Sequence, residues 1–413
     1  MPKKPLFDLI LYGATSFVGQ IVAAELCQRY AAGGLRWALA GRSQEKLEAV
    51  RAGLGNAAAD LPLLIADAAD DAALVRMCRQ TRVVVSTVGP YALHGEPLVR
   101  ACATSGTDYC DLTGETQWIR RMLDRYEDIA QQSGARIVHC CGFDSVPSDL
   151  GVWVLQQQAL QALGEPLTRI QMRVAKLRGG FSGGTVASLL QVVREASRDA
   201  GVRRLLADPY SLCPADAPRE LRQPDLKFAR HDPIAGSWIA PFVMSGINTR
   251  IVQRSQWLGR RAGDPASGDG LVYDEAMLTG DGLSGRIKAA GLASAILGFL
   301  TASALPPSRW LLEKLFLPGP GEGPSPEAQR KGGYELRFHG SSASGRSIRM
   351  TLNGERDPGY GSTARILAEA ASCLALDVSR KTPGGFWTPA RLFGWKLKER
   401  LEAHAGVSFA MVT

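Results

Sequence analysis

The chain lacks the marks of a metal-held, disulfide-stapled or exported protein. Its eight cysteines form no CxxC pair, and its five histidines fall in no zinc-ligand spacing. Cys140 and Cys141 are adjacent, a geometry unsuited to a mutual structural disulfide. After Met1-Pro2-Lys3-Lys4-Pro5 the sequence enters a strand-like pattern rather than the apolar region of a signal peptide. These absences predict a reducing, cytoplasmic compartment. No internal repeat and no basic nucleic-acid motif is visible.

What is present belongs to a folded protein. A hydrophobic share of 45% and a charged share of 21% exclude a disordered or collagen-like chain. At roughly 150 residues per domain, 413 residues make two or three domains. The net charge of +8 is unevenly placed: 15 basic against 17 acidic residues in 1–150, 16 against 12 in 151–280, and 17 against 11 in 281–413. A basic rear half suits an anionic membrane surface or an acidic ligand.

From Leu6 to His139, short β-rich runs alternate with helical patterns. Strands are predicted at Leu9–Tyr12, Arg36–Ala40, Leu61–Ala66, Val83–Thr87, Asp108–Asp111 and Ile137–His139, with a helix between each pair. That alternation makes an α/β fold with a doubly wound parallel sheet. The pattern then changes. Ser145–Leu163 reads as a helix, Thr168–Lys176 as a strand, and Gly183-Gly184-Thr185 opens a helix to Arg198. Tyr334–His339 and Ser347–Asn353 form a strand pair, followed by a helix at Tyr360–Leu376. This predicts a second, α+β domain with antiparallel strands. The expected divisions are 1–145, 146–385 for substrate binding and dimerisation, and 386–413 as a C-terminal helix and tail packing back on the first domain.

Two later segments are unusual. Ala289–Leu305 is seventeen residues without a charge, and it fits a buried helix, a membrane-interface element or a short span. Arg380–Arg400 mixes Phe386, Trp387, Phe393 and Trp395 with six cations. It fits a packed helix with a solvated basic face or a contact with anionic lipid.

The chemistry gathers at the ends of the first strands. Strand one runs into Gly13-Ala14-Thr15-Ser16-Phe17-Val18-Gly19 and a helix. A tight glycine turn before a helix N-terminus lets backbone N–H groups meet a pyrophosphate, as in a Rossmann domain. Ser16 stands where a third glycine is usual. Strand two ends in Ala40-Gly41-Arg42-Ser43, with no acid for a ribose 2′-hydroxyl. Arg42 and Ser43 suit a 2′-phosphate instead, which predicts NADP(H). Asp67 is placed near the adenine edge, and Val88-Gly89-Pro90-Tyr91 beneath the nicotinamide half. Tyr91 is the first candidate proton donor and His94 the second. Asp111, Glu115, Asp144 and Asp149 lie at the crevice end of the sheet, each open to a capping or pinning role as well. No metal ligands are expected.

Three stretches carry a resemblance: Val88-Gly89-Pro90-Tyr91 with His94-Gly95-Glu96, Asp108-Tyr109-Cys110-Asp111-Leu112-Thr113-Gly114-Glu115, and Cys141-Gly142-Phe143-Asp144-Ser145-Val146-Pro147-Ser148-Asp149. They resemble the saccharopine dehydrogenase-like oxidoreductases. Within that group the sequence is most similar to the trans-acting enoyl reductase branch, and the Pro318–Ser325 motif is similar to it too. The resemblance implies NADPH-dependent reduction of a carbon–carbon double bond in a lipid or polyketide-type acyl substrate. It also implies service in trans to a synthase, and lipid or membrane association. A homodimer, and a peripheral position at the inner face of the plasma membrane, are further expectations.

Two alternatives stay open. A saccharopine-type enzyme acting on an amino-acid imine needs converging arginines, for which Arg169, Arg173, Arg178 and Arg194 are candidates. A non-catalytic NADPH-binding, lipid-associated protein needs none.

Overall fold

The computed structural model describes residues 5–180, 182–219, 221–316 and 323–412. The Pro318–Ser325 motif lies outside the described residues except for Gly323, Pro324 and Ser325.

In chain order the first part comprises β1 (Phe7–Tyr12), α1 (Phe17–Tyr30), β2 (Trp37–Gly41), α2 (Gln44–Gly53), β3 (Leu63–Ile65), α3 (Asp71–Cys78) and β4 (Thr81–Ser86). It continues through α4 (Tyr91–His94), α5 (Glu96–Ser105), β5 (Asp108–Asp111), α6 (Thr116–Ser133) and β6 (Arg136–Val138). Then come α7 (Val146–Leu163), β7 (Leu167–Arg178), α8 (Gly183–Arg198), α9 (Ala200–Ala207), β8 (Arg230–Asp232), β9 (Ser237–Pro241), α10 (Ser245–Arg261) and β10 (Val272–Gly280). The last stretch holds α11 (Gly282–Ala304), α12 (Pro306–Phe316), α13 (Pro326–Lys331), β11 (Gly333–Ser342), β12 (Ser347–Glu355) and α14 (Gly361–Leu376). It closes with β13 (Gly385–Trp387), α15 (Pro389–Phe393), α16 (Trp395–Arg400) and β14 (Val407–Val412).

The first sheet has the order β13-β6-β5-β4-β1-β2-β3, and its pairs are parallel throughout. The strand order reverses between β1 and β4, so a crevice opens at their carboxyl ends. The second sheet runs β14-β12-β11-β7-β10-β9-β8. Only β7 and β10 pair parallel in it; the other pairs are antiparallel. The α/β class with a mixed second sheet is therefore the fold. Leu9, Ile10 and Leu11 of β1 are fully buried, as a strand covered on both faces requires.

One core runs through both sheets. The helix α14 packs against α1, β1 and β4 although it follows the second sheet in sequence. Its alanines, with Ser362 and Ser372, allow that close fit, and fourteen of its sixteen residues are buried.

The C-terminal segment differs from the helix and tail expected. Gly385–Trp387 adds a seventh strand beside β6, and Val407–Val412 pairs with β12 in the other sheet. Phe386 and Phe393 are buried, Arg391 pairs with Asp264, and Arg400 pairs with Glu369 and Asp377. Phe386, Phe393, Arg391 and Arg400 are thus engaged within the fold, while Trp395 stays 40% exposed. The buried-helix reading of Ala289–Leu305 fails. It belongs to α11, of which only Gly285, Ala289, Ala293 and Ser303 are buried. All eight cysteines are buried free thiols.

Candidate active site

The turn after β1 is built from contacts that need glycine. Gly13 has φ +86°, and a Cβ there would lie 2.6 Å from Val88 Cγ2. A Cβ on Gly19 would lie 2.2 Å from the Gly13 carbonyl oxygen, so α1 can start only against a bare backbone. Ser16 Oγ accepts the Gly19 N–H at 2.9 Å and caps α1. It also bonds Thr87 Oγ1 at 3.0 Å, and Thr87 Oγ1 donates to the Gly13 carbonyl at 2.9 Å. The serine in place of a third glycine thus ties the phosphate turn to the end of β4. Ala14 is buried beneath the turn, while Thr15, Phe17 and Val18 are half-exposed along it.

At the end of β2, Arg42 is exposed, and no hydrogen bond or ion pair engages it among the described residues. Ser43 Oγ accepts from Lys46 N at 3.3 Å and caps α2. Asp67 is exposed beyond β3, its Oδ1 held by Ala69 N at 2.9 Å. Burial, with Asp67 adding to it and Arg42 opposing, pushes the Tyr12 hydroxyl up to about 12. Arg42 and Asp67 therefore both lie near the Tyr12 hydroxyl at the end of β1.

On the other side of β1, the Gly89–Pro90 peptide is cis, and Gly89, Pro90 and Tyr91 line a cavity of about 590 Å³. Its walls come from Ser16–Val18, Leu112, Gly114, the α8 face with Ser188, Leu189 and Val192, and Met244, Ile247 and Arg250 around α10. The lining is chiefly apolar, and among the described residues Asp144 and Arg250 are its charged members.

The three expected catalytic residues part company here. Tyr91 is buried against Trp118, and its hydroxyl donates to the Ser86 carbonyl at 3.0 Å while accepting the Leu112 N–H. Burial raises its pKa well above the ordinary phenol value. That proton is committed to the end of β4, so the geometry speaks against Tyr91 as donor. His94 is exposed at the end of α4 and is not part of the cavity lining.

Asp144 faces the cavity. Its carboxyl has no hydrogen-bond or ion-pair partner among the described residues, and burial alone raises its pKa from 3.8 to about 7. The capping reading of Asp144-Ser145 fails: neither side chain caps α7, and Ser145 Oγ donates instead to Asn248 Oδ1 at 2.9 Å.

The neighbouring acids are structural. Asp111 Oδ2 bonds His139 Nδ1 at 2.7 Å and Tyr109 at 3.0 Å. Asp149 bonds Ser255 and accepts the Ala390 N–H at 2.8 Å, with burial raising it to about 7. Glu115 accepts from the N–H groups of Tyr91 and Ala92 and from Ser188 Oγ, all at 2.8 Å. It joins the turn after β4 to α8, with its pKa raised by burial.

Of the four arginines considered for an imine site, none lines the cavity. Arg173 is buried against Asp232 and Asp274, Arg169 pairs with Asp274, and Arg178 and Arg194 are exposed. Arg250, absent from that set, does line it. Its guanidinium donates to the Gly246 and Leu206 carbonyls, and burial lowers its pKa. Nothing in the sequence marks it, because α10 buries polar residues alongside its few apolar ones, Ile247, Ile251 and Val252.

A nucleotide turn at the switch point with an apolar cavity beside it is the crevice of a dinucleotide-dependent oxidoreductase. Residues 9–138 match the family model described as the saccharopine dehydrogenase NADP binding domain, so the cofactor is NADP(H). Gly13, Gly19 and the unengaged Arg42 fit that group. Similarity along the full length narrows the family. A Mycobacterium tuberculosis protein assigned to the trans-acting enoyl reductases is 42% identical over 412 residues, covering 97% of this chain and 96% of its own. The trans-acting enoyl reductase of Mycobacterium bovis is 39% identical over 422 residues, covering 98% of each chain. That of Mycobacterium ulcerans is 40% identical over 409 residues, covering 96% and 95%. The chain belongs to the trans-acting enoyl reductase family. Saccharopine dehydrogenase from Saccharomyces cerevisiae shares the fold, with a TM-score of 0.53 at 14% identity over 98% and 99% of the two chains.

Proposed function

We propose that this oxidoreductase reduces the carbon–carbon double bond of an α,β-unsaturated acyl chain. The observation that carries the reading is the cavity: a chiefly apolar lining holding one unpartnered carboxyl. NADPH supplies the hydride when bound. Asp144, protonated over much of the neutral range, delivers the proton to the carbon next to the carbonyl. Arg250 contributes positive charge to the same wall, suited to the carbonyl oxygen as it gains charge. Glu115 fixes the turn that carries Gly89 and Pro90 against α8, which sets the width of the cavity. The name of the relatives supports action in trans on chains built by a polyketide-type synthase, and so a role in lipid biosynthesis.

The imine alternative asks for several cationic groups in the cavity, and Arg250 is the one cation there among the described residues. A cytoplasmic, peripherally bound homodimer remains the proposed state. The exposed edge strand β14, with Met411 and Val412, is the surface offered for self-pairing. Light scattering of the purified protein decides between one and two copies. The activity is tested by adding a trans-2-enoyl thioester to protein and NADPH. Oxidation of the cofactor with formation of the saturated thioester is expected, whereas turnover of an α-imino acid with none of the thioester sinks the reading.

A further inference from the structure

Helix α6 begins at the cavity, and it begins uncapped. Gly114 and Thr116 line the cavity, and Glu115 between them makes no side-chain cap on the helix. The Glu115 carboxylate turns instead to the Tyr91 and Ala92 N–H groups and to Ser188 Oγ. The N–H groups of Thr116 and Gln117, the first two of an eighteen-residue helix, have no partner among the described residues.

The Thr116 side chain is a second, independent observation. The residue is 4% exposed and lines the cavity, yet its hydroxyl has no hydrogen-bond partner among the described residues. Most side chains this deeply buried satisfy their polar atoms within the protein, so an open hydroxyl on a cavity wall marks a group held for a ligand.

The same stretch reaches the unpartnered carboxyl. A Cβ on Gly114 would lie 3.9 Å from Asp144 Oδ2 and 3.8 Å from Met244 Cε. Because position 114 carries no side chain, the space between the helix start and the carboxyl stays open. Arg250 turns its terminal nitrogens to the Gly246 and Leu206 carbonyls, and its Nε is buried without a partner. It acts on the cavity by its charge, which leaves the aimed hydrogen bonds to other groups.

We propose that Thr116 Oγ1, with the free N–H groups at the start of α6, holds the carbonyl oxygen of the acyl substrate as negative charge develops on it. Thr116 is then a catalytic residue, and the inference rests on the enoyl reduction proposed above. Hydride arrival at the β-carbon sends the double-bond electrons to the carbonyl oxygen and leaves an enolate. Proton transfer from Asp144 to the α-carbon returns those electrons and restores the C=O bond. The α-carbon is bonded to the carbonyl carbon, so the oxygen site has to adjoin the acid, and Gly114 places the start of α6 there. A hydroxyl donor at a helix N-terminus favours a developing anion over the uncharged amide of a nicotinamide.

Thr116→Val removes the hydroxyl and keeps the shape, whereas Thr116→Ser keeps the hydroxyl. With a trans-2-enoyl thioester and NADPH, Thr116→Val should lower kcat by about a hundredfold. Thr116→Ser should stay within a few-fold of wild type, and NADPH affinity should be unchanged in both. A second readout needs no turnover. A 3-oxoacyl thioester, added to the protein with NADP+, loses its C2 proton to solvent and gives an enolate with a near-ultraviolet band. That band should develop at lower pH on wild type than in free solution, and about one pH unit or more higher on Thr116→Val than on wild type. A band that ignores Thr116→Val, or no band on wild type, overturns the proposal. A Thr116→Val protein that loses NADPH affinity overturns it too, and assigns the hydroxyl to the cofactor. If wild type fails to reduce the enoyl thioester while the enolate band still depends on Thr116, the oxygen site stands and the enoyl reductase reading fails.

Discussion

Asp144 and Tyr91 show how burial alone misleads about a reacting group. Both lie at the cavity, yet the Tyr91 hydroxyl is bonded to the Ser86 carbonyl and Asp144 has no partner among the described residues. Tyr91→Phe should therefore keep the rate within a few-fold while losing about 1 kcal/mol of stability, measured by urea unfolding. Asp144→Asn should lower kcat by about a hundredfold or more. The acid form of Asp144 is the donor, so the rate of the wild type should fall as pH rises through about 7, and the variant should lose that limb. The same shift acts on stability. The folded carboxyl holds its proton to about 7, whereas the unfolded one releases it near 3.8, so stability declines between those values as pH rises. Asp144→Asn should flatten that decline, as thermal unfolding at several pH values would show. For the cofactor, Arg42→Ala should weaken NADPH by about ten- to a hundredfold and leave NADH nearly unchanged in calorimetric titration. Equal loss for both would remove Arg42 from the 2′-phosphate.

Among elements, the ease of reading follows how residues are buried. Of the strands β1 to β6, all but the Asp-flanked β5 are chiefly apolar runs, and the predicted ranges meet the observed ones within two residues at every end. β5 and the start of α8 agree to the residue. By contrast α10 escaped notice because it buries polar side chains. Asn248 bonds Ser148 at 3.1 Å and Glu275 at 3.0 Å, and Ser255 bonds Asp149 and Thr388. The buried apolar residues of α10, Ile247, Ile251 and Val252, are few beside its buried asparagine, glutamine and arginine side chains, so its hydrophobic signal is diluted. β13 is three residues long and pairs with a strand some 250 positions earlier, a contact no local pattern encodes. Phe386→Ala should cost about 3–5 kcal/mol in unfolding measurements, because that ring is buried beside β6. The site divides in the same way. The phosphate turn and Arg42 are local motifs, while the cavity wall from α8 and α10 exists only once distant segments meet.

As a whole molecule, the chain is laced across its own middle. The first sheet takes its last strand from residues 385–387, and the second takes its edge from 407–412. Arg82 of β4 donates to the carbonyls of Ala375 and Val378, and Arg136 of β6 to that of Ser379 at 2.9 Å. We propose that the division expected at residue 145 marks a change of topology rather than an independent folding unit. A fragment of residues 1–145 should then unfold at a lower temperature than the full chain, even with NADPH in excess. The cavity depends on the same lacing, since its walls come from the phosphate turn, α8, α10 and Tyr360 together.

The central claim is that this cavity reduces an enoyl thioester with NADPH and that Asp144 gives the proton. The most direct measurement is NADPH oxidation by a long-chain trans-2-enoyl thioester, followed for wild type and Asp144→Asn across pH. The account predicts a saturated product, a rate falling above about pH 7, and loss of both the rate and that limb in the variant, with NADPH affinity kept. An Asp144→Asn enzyme that turns over like wild type with the same pH profile would contradict it.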